Sequence, residues 1–123
     1  MIHHLALEVG PETMSAEGAF WLAAGFKQVR VPESMGPGFA WYEREGTQIH
    51  LVETIDPSRP ATRGHVAVIA PGFEETLERL DRDGFQVAEA RTIWDARRAK
   101  VTTPAGHLVE LMEFPPAPGT ELT

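Results

Sequence analysis

Two stretches decide the fold: Gly106–Glu113, reading G-H-L-V-E-L-M-E, and Gly46–Glu53, reading G-T-Q-I-H-L-V-E. Laid over each other, three of the eight positions are identical and two exchange one apolar residue for another. The chemically informative difference is that His50 falls on Glu110. Outward from this pair, His4-Leu5-Ala6-Leu7 answers His65-Val66-Ala67-Val68, and Ala24-Gly25-Phe26-Lys27-Gln28-Val29 answers Asp83-Gly84-Phe85-Gln86-Val87. The offsets of 61, 59 and 60 residues keep the same order in both halves, which marks a duplicated module.

A chain of 123 residues suits one domain made from two such halves. Each half is too short to bury much of its own surface, so the halves are expected to share a core. No run approaches the ~20 apolar residues of a membrane span, and Met1-Ile2 leads straight into a strand pattern rather than a signal peptide. A cytoplasmic location without membrane association is therefore expected. The absence of cysteine removes disulfides and thiolate metal sites. A net charge of −7, with Arg97, Arg98 and Lys100 as the basic cluster, argues against a nucleic-acid partner.

Periodicity gives each half the order β-α-β-β-β, an α+β arrangement. Strands are expected at residues 2–9, 26–31, 39–45 and 47–54, then at 65–70, 85–90, 96–102 and 107–114. Ser15 suits the N-cap of a helix carrying Ala16, Ala19, Phe20 and Ala23, with Gly25 as its stop. Phe73, Leu77 and Leu80 form the second helical stripe, with Glu74 and Glu75 in its first turn and Gly84 at its end. The expected division is a single domain over 1–114. Module one covers 1–54, a proline-containing linker 55–63 and module two 64–114, followed by a flexible tail at 115–123.

Strand alternation separates two faces. Leu5/Leu7, Ile49/Leu51, Val66/Val68 and Val109/Leu111 form the faces that helices should cover. The opposite faces carry His4, His50, His65 and Glu110 beside small Ala6 and Ala67, which leave room for a cavity. A carboxylate among apolar neighbours is costly unless it is paired or metal-bound. Three imidazoles and one carboxylate match the donors of a divalent Zn, Ni, Fe or Mn ion, which can polarise a substrate oxygen or acidify a bound water. His3 and His107 alternate away from this set. Trp41, Tyr42 and Trp94 are candidates to line a pocket, although strand aromatics usually belong to the core. Arg97 and Arg98 are candidates to hold an anionic substrate group.

H-L-A-L at 4–7, T-Q-I-H-L at 47–51, G-H-V-A-V at 64–68 and P-A-G-H-L-V-E-L at 104–111 together resemble the vicinal oxygen chelate superfamily. That superfamily includes glyoxalase I, fosfomycin and bleomycin resistance proteins, extradiol dioxygenases and methylmalonyl-CoA epimerase. The resemblance covers residues 1–114 and implies two tandem βαβββ modules whose curled mixed sheets form a cup around a metal site. It implies His4, His50, His65 and Glu110 as ligands of one divalent metal ion, with Glu110 also catalytic. It further implies a homodimer whose metal site is in some members shared between chains. His50 stands where many members carry glutamate or glutamine, which sets the chain apart from glyoxalase I itself. Thr103-Pro104 replaces the usual Asp-Pro.

The leading expectation is a metal-dependent lyase, isomerase or transferase acting on a small substrate with neighbouring oxygens. The alternatives are a non-catalytic drug- or metabolite-binding protein of the bleomycin-resistance type and an Fe-dependent dioxygenase.

Overall fold

Alternation along Thr47–Glu53 leaves Ile49 and Leu51 wholly buried, and alternation along Leu108–Met112 does the same for Val109 and Leu111. These four side chains seed the core of the computed structural model, which describes residues 1–122. Thr123, the last residue of the expected tail, lies outside the described residues.

Module one comprises strand β1 (His4–Val9), helix α1 (Met14–Ala23), β2 (Lys27–Val29), β3 (Phe39–Arg44) and β4 (Thr47–Glu53). Module two repeats the order with β5 (Val66–Ile69), α2 (Phe73–Arg82), β6 (Val87–Ala90), β7 (Arg98–Thr102) and β8 (Leu108–Met112). Each module forms its own four-stranded sheet, in the orders β1-β4-β3-β2 and β5-β8-β7-β6. The first strand of each module runs parallel to the last, and the remaining pairs are antiparallel. The two βαβββ modules are therefore present.

The apolar faces of both sheets meet α1 and α2 in one shared core. Phe20 on α1 packs edge-on against Phe85 of module two at 5.5 Å between centroids. Glu17, fully buried on α1, accepts a hydrogen bond from the Ala105 backbone N–H at 2.8 Å, and Arg79 of α2 donates to the Ala23 carbonyl at 2.8 Å. These contacts cross the module boundary, and Glu17 and Arg79 satisfy backbone groups that burial would otherwise orphan. Gly25, at φ +102°, ends α1 in the left-handed region as expected. No helix among the described residues is long and apolar enough to cross a membrane.

Three expectations need correction. The sheets do not curl into a cup around a metal site: they remain separate, with no strand pairing between them. The physical reason is that each sheet spends its apolar face on the shared helix-containing core, so the opposite faces stay open on different sheets. Leu5 is exposed, and Leu7, Val66 and Val68 are only half-buried, because β1 and β5 are edge strands where helix coverage is incomplete. Ser15 lies inside α1. Thr13 occupies the cap position without a side-chain capping bond, and its carbonyl accepts from Glu17 N–H at 2.9 Å.

Candidate functional site

The open face of the first sheet is built by register. Ala6 on β1 and Trp41 on β3 flank His50 on β4, and His4 lies opposite Gln48. Because Ala6 is small, the His4 ring reaches across and stacks on His50 at 4.0 Å, with 13° between planes. Trp41 stacks on His50 at 4.0 Å and 2°. His50, between the two rings, is only 8% exposed. Its Nε2 lies 2.7 Å from Gln48 Oε1, and Gln48 Nε2 donates to Glu43 Oε1 at 2.7 Å. Burial, and then the neighbouring His4 and His3 charges, push the His50 pKa below the ordinary histidine value. His3 joins the group, with its Nδ1 3.0 Å from His4 Nδ1.

The open face of the second sheet centres on Glu110 of β8, which is 6% exposed and lies opposite Ala67 and Lys100. Arg98 Nε donates to Glu110 Oε2 at 2.8 Å, while His65 Nε2 lies 3.2 Å from Glu110 Oε1. Arg98 also donates to the Arg91 carbonyl at 3.0 Å, and its guanidinium sits 5.5 Å from the Trp94 ring centre. The hydrogen bond from Arg98 holds the Glu110 pKa below the usual carboxylate range against the opposing effect of burial. The charges of Arg98, His65 and Lys100 add to that depression. Glu110 is therefore a steady anion, better suited to binding positive charge than to acting as a base poised near neutrality.

His65 Nδ1 lies 2.9 Å from the Arg63 carbonyl, which can only accept, so the proton is on Nδ1. Its Nε2 then faces a carboxylate oxygen, which also only accepts. This contact is favourable in two ways: Nε2 takes a second proton and forms an ion pair, or both atoms share a cation. Two donors about 2.1 Å from one ion and about 100° apart are about 3.2 Å from each other, so the pair fits two ligands of one divalent metal. The backbone carbonyl behind the imidazole is a common outer partner of a ligating histidine.

The full donor set does not fit a metal within one chain. His4 and His50 lie on one sheet, whereas Glu110 lies on the other and His65 immediately precedes its strand β5, and no three His, Asp or Glu side chains among the described residues converge.

The other sequence candidates are dispersed. Arg97 pairs with Glu89 at 2.7 Å and with Glu74, and lies 5.1 Å from the Phe73 ring centre, away from Glu110. Trp94 donates from Nε1 to the Phe114 carbonyl at 3.0 Å. Tyr42 turns to the core, where burial raises its pKa. His107 Nε2 contacts the Glu8 carbonyl at 2.9 Å and joins the modules at their margin. A cleft of about 680 Å³ beside β6 is lined by Lys100, Thr102, Leu108 and Gln86 and touches neither His50 nor Glu110.

Sequence reasoning missed His3, Gln48 and Glu43. His3 precedes β1, so strand alternation does not govern it. Gln48 was findable as a polar residue two positions before His50 on the same strand face, and Glu43 as its cross-strand neighbour.

A model of the Glyoxalase/Bleomycin resistance protein/Dioxygenase superfamily matches residues 3–111. Among solved structures, a glyoxalase-family protein from Bacillus anthracis is similar at TM-score 0.78 and 23% identity, covering 91% of this chain and 93% of that one. A glyoxalase/dioxygenase from Nostoc punctiforme gives 0.72 and 18%, covering 91% and 89% respectively. A fosfomycin resistance protein from Listeria monocytogenes gives 0.70 and 19%, covering 90% and 87%. At these identities the likeness speaks for the fold alone. No curated protein matches the chain.

Proposed function

The chain belongs to the glyoxalase/bleomycin resistance protein/dioxygenase superfamily, and from that premise we propose that it is a divalent-metal-dependent enzyme of the glyoxalase type. It acts as a lyase, isomerase or transferase on a small substrate with neighbouring oxygens. The observation that carries this reading is the His65–Glu110 pair, with Nδ1 committed to a carbonyl and Nε2 aimed at a carboxylate oxygen 3.2 Å away. His4 and His50 of one copy complete the donor set with His65 and Glu110 of a second copy in a homodimer, since one chain supplies only two half-sets. Glu110, held as an anion, serves the reaction as the charged metal ligand rather than as a proton-abstracting base. Trp41 and Trp94 offer ring surfaces beside the two halves, and Arg98 offers a cation to the substrate.

The test is metal content in mixed dimers. His50→Ala and Glu110→Ala each remove one donor from every site and should abolish near-stoichiometric Zn, Ni, Fe or Mn. Co-expressed, half the dimers are mixed, and each mixed dimer regains one intact site of two, so about a quarter of wild-type metal should return. No recovery would refute a shared site. A wild type that stays metal-free after reconstitution would refute the metal enzyme.

A second reading, a metal-free binding protein for a small metabolite or drug, is favoured by the Arg98–Glu110 pair. A guanidinium already neutralises the carboxylate and reduces its pull on a cation. Binding that survives complete metal removal would distinguish this reading.

A further inference from the structure

The Glu43–Gln48–His50 chain on the first sheet's open face fixes more than a ring position. Glu43 Oε1 is a carboxylate oxygen and only accepts, so the Gln48 atom 2.7 Å from it is the amide nitrogen. The Gln48 carbonyl oxygen therefore points at His50 Nε2, 2.7 Å away, and it too only accepts. A neutral His50 must carry its proton on Nε2, which leaves the Nδ1 lone pair without a protein partner among the described residues. Stacking on Trp41 and His4 holds the ring in one plane, so it cannot exchange the two nitrogens without leaving the stack. His65 is set the opposite way, with Nδ1 on a backbone carbonyl and Nε2 toward Glu110.

We propose that Glu43 and Gln48 are positioning residues that lock His50 as the Nε2–H tautomer, so that Nδ1 is the atom this face offers to a cation or an acidic proton. This deepens the metal reading and rests on it only for the use to which the lone pair is put. Outer carboxylates and amides select the free nitrogen of a histidine in this way, and loss of one weakens the site behind it.

The experiment uses full-length, 15N-labelled, chelator-treated protein at about pH 8, where ordinary imidazoles are neutral. Long-range 1H–15N correlations report which ring nitrogen is protonated, and the His50 signals are those lost in His50→Gln. The wild type should show a protonated Nε2 and a bare Nδ1. Gln48→Leu should reduce the Nε2–H to Nδ1–H ratio by about fivefold, the worth of one net hydrogen bond. Glu43→Gln frees the Gln48 amide to turn over and should give an intermediate ratio. A wild type with Nδ1–H predominant, or an unchanged ratio in Gln48→Leu, overturns the proposal. An unchanged ratio in Glu43→Gln removes Glu43 from it. Because no metal is present, the result stands apart from whether the protein binds one.

Discussion

Replacing Arg98 with methionine should make the stability of this protein depend on pH in a direction opposite to the wild type. Arg98 and Glu110 are joined at 2.8 Å, with side chains 11% and 8% exposed. Removing one partner of a buried pair costs about 3–5 kcal/mol because the other charge is stranded. Here His65 stays 3.2 Å from the other carboxylate oxygen and Lys100 stays opposite in register, so the lower end, about 3 kcal/mol, is expected at neutral pH. In the wild type the Glu110 pKa is depressed, first by the Arg98 hydrogen bond. That stabilisation is fully present above the unfolded pKa, near 4.5, and is lost as pH falls through the folded value. Without Arg98, burial dominates and the folded pKa rises. The variant then loses stability as pH climbs through that raised value. Urea unfolding of chelator-treated protein, followed by circular dichroism, measures the gap. At about 1.5 kcal/mol/M, a loss of 3 kcal/mol moves the midpoint by about 2 M at pH 7. The gap should narrow toward pH 4. An equal gap at both values would mean that the lost energy was packing against Trp94 rather than charge, and would refute the electrostatic account.

Two further outcomes follow from the geometry. Gly18→Ala places a Cβ 2.1 Å from the Tyr42 hydroxyl oxygen, and that rigid buried ring cannot yield cheaply. It should cost about 1–3 kcal/mol by thermal or urea unfolding, with Tyr42→Phe in the same chain restoring part of the loss. His50, whose pKa is lowered chiefly by burial, should make the metal-free protein less stable as pH falls below about 6.5, since the unfolded chain takes that proton first. His50→Gln should flatten the slope between pH 7 and 5, and an undiminished slope would place the effect elsewhere.

The duplication and the strand faces were legible because period-2 alternation is local and burial rewards it directly. Ile49, Leu51, Val109 and Leu111 are buried on the faces their spacing assigned. Leu5 shows where that logic ends: the same alternation on an edge strand leaves it 37% exposed, because burial also depends on a strand's place in the sheet. The cup failed for a related reason. Alternation tells which residues share a face, but not whether two such faces turn toward each other. That is decided by the helices, here brought together with both sheets in one core. Arg98 was legible as a cation near the site but not as the partner of Glu110. The pairing is diagonal: Arg98 is opposite Met112 in register and reaches Glu110 two residues along.

The neighbourhoods of the two aligned positions have diverged together, which ties the sequence repeat to the chemistry. The residue opposite His50 is Trp41, and the residue opposite Glu110 in the second sheet is Lys100. Burial, with the His4 and His3 charges behind it, keeps the imidazole neutral, whereas the Arg98 hydrogen bond, with the charges of Arg98, His65 and Lys100, keeps the carboxylate ionised. Burial leads at one position and the Arg98 hydrogen bond at the other, yet both depress the pKa. Each side chain therefore holds unprotonated lone pairs at neutral pH, the form in which His and Glu serve as donors to a cation. An exchange of His50 for Glu without its surroundings would place an anion beside Glu43 and against an indole, with no guanidinium to balance it. The swap at this position is thus coupled to its shell, and His50→Glu alone should be less stable than wild type.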